Sequence, residues 1–415
     1  MSLTITRKSF LRLAASALPA LAWPRAAHAL QPPPTDRRER IADVFRMYQQ
    51  QGSHRTATEV DNESGQWLAG EASRIGAEVT PRRFVLERVD LKASFVESGS
   101  RRREALPFFD GGFTSPEGIR GRIGLPDSGS PIVLVRLDSA AIGSEGQALA
   151  PLRRAAGVKA IIAVTEGGLP GLCPSNARSF TAPYGLPVLQ VSSTAADWMT
   201  SLMQSGVEVR VTANAIRTRA PADNVLATVR GRRPELPPVV VMTPRSGWWQ
   251  CVSERGGGLA CWLETMRAAA DVRPDRTIRF IASSGHELGH LGLETFLREE
   301  PALITSAAAW VHLGANIGAA DGRTRVQASA DDIEGTALAA LQRVGARVDG
   351  RVPRGTVPSG EARNIHVGGG RYVSLLGSGP HFHNPDDLWP FAVDLDAVVR
   401  YAEATIELTL ALARA

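Results

Sequence analysis

The stretch "RTIRFIASSGHELGHLGLETF", Arg276–Phe296, decides how the rest of the chain is read. Thr277–Ala282 is apolar, carries two isoleucines and a phenylalanine, and reads as a buried strand. Directly after it, His286-Glu287-Leu288-Gly289-His290 spells H-E-x-x-H. On a helix already running, that pattern sets two histidines one turn apart on a zinc ion, with the glutamate as base. The context opposes a running helix. The strand ends only a few residues earlier, and Gly285, Gly289 and Gly292 punctuate the motif, each costing a helix about 1 kcal/mol against alanine. No histidine follows at the spacing of a third ligand, and Glu294 lies too near in sequence to be a typical one. The expectation is therefore a strand-end loop, with a helix starting near Leu293-Glu294-Thr295. The zinc-helix reading stands as an alternative that requires a helix beginning before residue 286.

Working outward, "NVLATVRG", "PPVVVMTP" and "RYVSLLGSG" are further strands. "GGLACWLETMRAAADV" is an amphipathic helix between the second and third strands of this part. "ALITSAAAWVHLGA" supplies a helix end and a strand, and "VDLDAVVRYAEATIELTLALARA" a long final helix. Strand–helix alternation of this kind predicts an α/β domain: a mixed, mainly parallel sheet flanked by helices. Ligands in such sheets bind at the carboxyl ends of the strands. Those ends are Met242–Trp249, Ser283–His290, His312–Asn316 and Gly377–Asp387, and they hold most of the histidines, tryptophans and unusual polar residues.

Towards the N-terminus, "RRERIADVFRMYQQQG" places Ile41, Val44, Phe45 and Tyr48 on one helical face. "TEVDNESGQWLAGEASRIGAEV" is a second helix, capped by Asp61 or Asn62 and ended by Gly76. "RRFVLERVDLKASFVES" follows as extended structure. From about residue 100 to 215 short apolar runs alternate with Gly/Pro turns. Helices are expected in "GQALAPLRRAAG" and "TAADWMTSLMQSG", giving a small β-rich domain with a β-α-β core. Residues 1–29 read as an export signal: a basic start, a short apolar run and a small-x-small end at Ala27-His28-Ala29. Thr6–Arg12 is similar to a twin-arginine motif with Lys8 in place of the second arginine. The expectation is an exported protein, periplasmic or secreted, without a stable membrane anchor once the signal is removed.

The 415 residues carry a formal charge of +5, which falls to +1 without the four cations of the first 29 residues. No nucleic-acid partner is implied. Three cysteines, 173, 251 and 261, leave at least one thiol unpaired, and whether Cys251 and Cys261 pair stays open. No C-x-x-C occurs, which excludes a finger-type zinc site. No G-x-S-x-G elbow occurs, which argues against a serine hydrolase on this sheet. "VGGGR", 367–371, reads as a turn rather than a phosphate loop.

Five stretches together resemble the zinc aminopeptidase superfamily that also holds glutamate carboxypeptidase, the transferrin receptor ectodomain and glutaminyl cyclase. They are "GSHRTATEVDNESGQWLAGEASRIGAEV", "DNVLATVRG", "RTIRFIASSGHELGHLGLETF", "FHNPDD" and the C-terminal helix. The β-rich segment resembles that superfamily's protease-associated domain. The division implied is 1–29 export signal, 30–95 helices and strand of the peptidase-like domain, 96–218 protease-associated-like domain, and 219–415 zinc-peptidase-like α/β domain.

Carried over position by position, the metal site is depleted. The His-x-Asp pair of the family falls on Pro244-Arg245-Ser246, and a later Asp ligand falls at or near Gly314. The metal-bridging Asp matches Glu254, the Glu-Glu pair matches His286-Glu287, and the last His matches His383. The resemblance implies a single zinc ion, or none, on Glu254, Glu287 and His383, with His286 as the base. His290, His312 and His381 are candidates to supplement the metal shell or line the pocket. Arg245 and Arg255 could hold a substrate carboxylate or simply neutralise Glu254. Trp248 and Trp249 could wall the substrate or pack in the core. The function implied is an exported metallopeptidase-like hydrolase acting on an amide (peptide) or related bond of a small-molecule or peptide substrate. The alternative is a non-catalytic, receptor-like binding protein on the same fold.

Overall fold

The computed structural model describes residues 36–139, 142–143 and 148–414. The export-signal reading of residues 1–29 lies outside them. Val239–Pro244 is the middle of the main sheet, buried along its length. It pairs in parallel with Ile278–Ser283 on one side and Ala309–Leu313 on the other. Tyr372–Ser378 continues the parallel run beyond Ala309–Leu313. Arg323–Ala328 and the C-terminal part of Glu208–Val229 close the two flanks antiparallel. The sheet is thus mixed and mainly parallel, as the alternation predicts.

Side chains alternate across this sheet, as the pleat requires. Val239, Val241, Phe280 and Val311 face a core built with the helices Arg37–Gln51, Gly257–Val272 and Leu395–Leu412. Val240, Met242, Ile281 and Trp310 face the opposite core, with Leu293 and Phe296 of Leu291–Glu299. Gly257 begins its helix where a Cβ would sit 1.9 Å from the Ile317 carbonyl oxygen, so the close helix–loop approach needs glycine.

The second helix, Glu59–Ile75, is capped by Thr58 rather than by Asp61 or Asn62. The Thr58 hydroxyl accepts from the Asp61 N–H, which frees the Asp61 carboxylate to accept from the Ala57 N–H at 2.8 Å. Gly76 ends the helix in the left-handed conformation, as expected. In "GQALAPLRRAAG", of which residues 146–147 lie outside the described residues, Ala148 is helical and Leu152–Arg154 form a 3-10 turn. Ala196–Ser205 is the other helix expected there.

The divisions at 95/96 and 218/219 both fall inside long strands, Arg82–Ser98 and Glu208–Val229. These two pair antiparallel from Arg82↔Asn224 to Glu97↔Arg210. The β-rich part (Ile119–Gly124, Ile132–Asp138, Ala160–Glu166 and Val188–Val191) is joined through Glu208–Val229 to the main sheet. Residues 36–414 otherwise cluster as one compact unit. No helix of the described residues is long and apolar enough to cross a membrane.

Candidate functional site

The H-E-x-x-H segment is not a helix. Gly285, Gly289 and His290 all adopt positive φ, and His286–Leu288 form one 3-10 turn between them. The regular helix starts at Leu291, close to the expected position. This loop is pinned by Ser246, whose hydroxyl accepts from the Gly285 N–H at 2.8 Å and the His286 N–H at 3.3 Å. The zinc-helix alternative fails on this backbone.

Glu287 points away from His286 and His290. One carboxylate oxygen accepts from the backbone N–H and the hydroxyl of Thr56. The other accepts from the Ser246 hydroxyl at 2.8 Å. Glu287 therefore ties the strand-end loop to the N-terminal segment, with both oxygens engaged.

A cavity of about 560 Å³ opens at the carboxyl ends of the strands, within the usual range for a small-molecule site. Three of the four expected loops line it, through His286 and His290, His312 and Asn316, and Gly377–Pro380. The Met242–Trp249 loop does not. The β-rich part contributes Asn176 and Arg178, so it walls the site. Arg323 and Arg325, on one face of their strand, and Glu361 complete the polar lining.

Glu361 organises the histidines. Its Oε1 lies 2.8 Å from His286 Nδ1, and its Oε2 lies 3.4 Å from His312 Nε2. His312 Nδ1 is 2.8 Å from the Ser374 hydroxyl, and His290 Nδ1 is 2.8 Å from Asn364 Oδ1. The His286 and His290 rings stack with centroids 5.2 Å apart. Burial pushes the His290 imidazole down to about 4 and lowers His286 as well, against the pull of Glu361 on both. Burial opposes ionisation of Glu361, yet His286 and His290 and its hydrogen bonds hold it well below the carboxylate range. Among the described residues, one set of three His, Cys, Asp or Glu side chains brings ligand atoms within 4.8 Å of one another: His286, His290 and Glu361.

The expected set of Glu254, Glu287 and His383 is not gathered in this way. Glu254 and His383 do meet, Oε1 to Nε2 at 3.5 Å, and His383 Nδ1 is held by the Pro174 carbonyl at 2.6 Å. Arg255 is buried beside them, with Nη2 2.6 Å from Glu254 Oε1 and Nε donating to the Ser246 carbonyl. Burial alone would raise the Glu254 pKa, but Arg255, His383 and His286 hold it below the usual value. Burial lowers His383. Arg255 thus pairs with Glu254.

Arg245 is fully buried and bound to Asp61 at 2.7 Å, to the Asp61 carbonyl at 2.6 Å and to the Asp223 carbonyl. It braces the fold and does not reach the cavity. Trp248 packs edge-on against Phe109 in a core cluster, and Trp249 donates to the Leu172 and His383 carbonyls. Neither lines the cavity, nor does the half-buried His381. All three cysteines are free and buried, so Cys251 and Cys261 do not pair.

A curled, mainly parallel sheet flanked by helices, with a polar cavity at its strand ends, is the fold of the zinc aminopeptidases. A zinc aminopeptidase from Bacillus subtilis superposes with a TM-score of 0.73 at 16% identity, covering 92% of this chain and 97% of that one. A peptidase M28 precursor from Shewanella amazonensis SB2B gives a TM-score of 0.70 at 14% identity, covering 91% and 97%. An aminopeptidase from Aneurinibacillus sp. strain AM-1 gives 0.67 at 15% identity, covering 91% and 94%. Human transferrin receptor protein 2 is 26% identical over 145 residues, which is 32% of this chain and 18% of that protein. No protein-family model matches the sequence. At these identities the likeness establishes the fold.

Proposed function

We propose that the chain is an exported hydrolase that cleaves an amide (peptide) bond in a small substrate bearing an anionic end. The observation that carries this reading is the composition of the cavity. It brings a buried His286–Glu361–His290 cluster and the cationic side chains of Arg178, Arg323 and Arg325 onto one wall system. Neither Arg323 nor Arg325 enters an ion pair with any described residue, whereas nearby Arg351, Arg354 and Arg371 are each paired with an acid. Guanidinium groups without an internal counter-ion suit a substrate carboxylate. The His–Glu cluster places imidazole and carboxylate groups on the cavity wall, where they can act on water and a scissile amide. Asn176 and Arg178 of the β-rich part line the same cavity. Export rests on the pattern of residues 1–29.

The aminopeptidase likeness brings zinc to this chain as an expectation, and the positions carried over from the family do not fit it. Pro244 and Gly314 offer no side-chain donor. Glu287 has both oxygens engaged, and the Arg255 guanidinium already occupies the side of Glu254. These same losses favour the second reading, a receptor-like protein that binds without turnover.

A panel of amides of matched size, with and without a carboxylate, separates the two. The hydrolase reading expects turnover of the anionic members, and a fall in kcat/KM of at least about 100-fold in His286→Ala. Binding of an anionic amide without turnover, equally tight in His286→Ala, would establish the receptor reading instead.

A further inference from the structure

We infer that His286, His290 and Glu361 form a binding site for one zinc-type divalent cation, away from the positions at which the resemblance puts the family's metal ligands. Two imidazoles and a carboxylate are a donor set that zinc accepts, and three protein ligands leave a position open to the cavity. Their ligand atoms already lie within 4.8 Å of one another, and all three side chains are buried.

The surroundings are built as outer support for such a site. His290 Nδ1 is held by Asn364 Oδ1, which leaves its other ring nitrogen for an ion. Glu361 is backed by His312, which Ser374 orients in turn. Ligating histidines and carboxylates are commonly fixed by partners of this kind. The second oxygen of Glu361 and His312 Nε2 are both buried without a hydrogen bond, their separation of 3.4 Å being too long for a strong one. A buried carboxylate oxygen without a hydrogen-bond partner is a position that a bound cation would fill. The nearby Glu254–His383 pair has its cation in Arg255, whereas among the described residues no arginine or lysine is ion-paired with Glu361, which meets His286 and His312.

The catalytic use of the ion rests on the hydrolase reading; its binding does not. Full-length mature protein is stripped with chelator, dialysed against Zn²⁺ and assayed for bound metal. The same is done with Co²⁺, read by visible absorption. About one ion per chain is expected. Affinity falls by more than about 100-fold in His290→Gln and Glu361→Gln, by about 10–100-fold in Asn364→Ala, and is retained in His383→Gln. Circular dichroism establishes that each variant is folded, and the peripheral Asn364→Ala variant decides the matter if a ligand variant is not. A wild-type chain that retains no ion, or an ion indifferent to His290→Gln and Glu361→Gln or to Asn364→Ala, overturns the site. Amide turnover by metal-free protein overturns the catalytic use of the ion and leaves the hydrolase reading standing. Stoichiometric zinc held by these three residues, without turnover of any amide, upholds the site and overturns the hydrolase reading.

Discussion

Arg245 aligns with a metal-binding segment of the family and carries a charge at a strand end, so its role separates a substrate arginine from a structural one. Replacing it by methionine is the informative perturbation. The guanidinium and its partner Asp61 are both 0% exposed. Removing the guanidinium strips the cation from Asp61 Oδ1 and leaves the Asp61 and Asp223 carbonyls without their donor. Asp61 keeps only the Ala57 N–H and the Ser284 hydroxyl, both on its other oxygen. Breaking a buried pair from one side costs about 3–5 kcal/mol, because an uncompensated charge remains. Each orphaned buried acceptor is worth about 1–3 kcal/mol, which agrees with that range after relaxation. Chemical unfolding followed by tryptophan fluorescence reads the loss. In the double variant Arg245→Met/Asp61→Asn the charge is gone, so the two substitutions should couple by about 1–3 kcal/mol, the double loss being smaller than the sum. KM for an anionic substrate should not change in the folded protein. A loss below about 1 kcal/mol together with a KM raised tenfold would show that Arg245 meets substrate, and would refute the brace.

Arg323→Gln and Arg325→Gln should each raise KM for a carboxylate-bearing amide about tenfold, a change of about 1.4 kcal/mol, with little effect on its neutral analogue. Equal effects on both substrates would remove the anion-binding role. His54, buried against Tyr48 and bonded to its carbonyl, has its imidazole lowered to about 3, chiefly by burial. Below pH 6.5 the unfolded chain takes up this proton and the folded chain does not. Stability from this group is therefore present above about pH 6.5 and is lost as pH falls towards 3, about 2.7 kcal/mol of it by pH 4.5. The unfolding free energy of His54→Phe should fall less steeply between pH 6 and 4.5 than wild type, and parallel profiles would contradict the assignment. Gly257→Ala should destabilise by about 2–3 kcal/mol, since its methyl would meet the Ile317 carbonyl; unchanged denaturant stability would show that this contact relaxes freely.

The sheet was legible because its evidence is local. Val239, Val240 and Val241 announce a strand buried on both faces, and the glycines of the Gly285–Gly292 segment announce a loop after one. The carboxyl-end rule then placed His286, His290 and His312 at a cavity without reference to any partner. Glu361 was not legible. It sits in "VPSGEARNIH", ahead of a helix of only six residues, and its contacts are with side chains far away in sequence, such as His286. A lone acid in a Gly/Ser/Pro stretch, five residues before His366, is the faint signal that could have drawn attention to it. Arg245 shows the reverse failure. A charged residue at a strand end looks available, and only packing reveals that Asp61 and two carbonyls consume it. Glu287 was assigned by its alignment, but Ser246 and Thr56, remote in sequence, turn its carboxylate inward. The divisions at 95/96 and 218/219 followed a change in composition, while two long strands carry the chain across both.

The central claim is that the polar cluster of the cavity, rather than the strand-end positions inherited by the fold, is where an ion and a substrate meet. Anomalous diffraction at the zinc edge from crystals of the metal-loaded protein tests it most directly. The account predicts a single peak about 2.0–2.2 Å from ligand atoms of His286, His290 and Glu361, facing the cavity lined by Arg323 and Arg325. A peak seated on Glu254 and His383, or no peak at all beside His290 and Glu361, would contradict it.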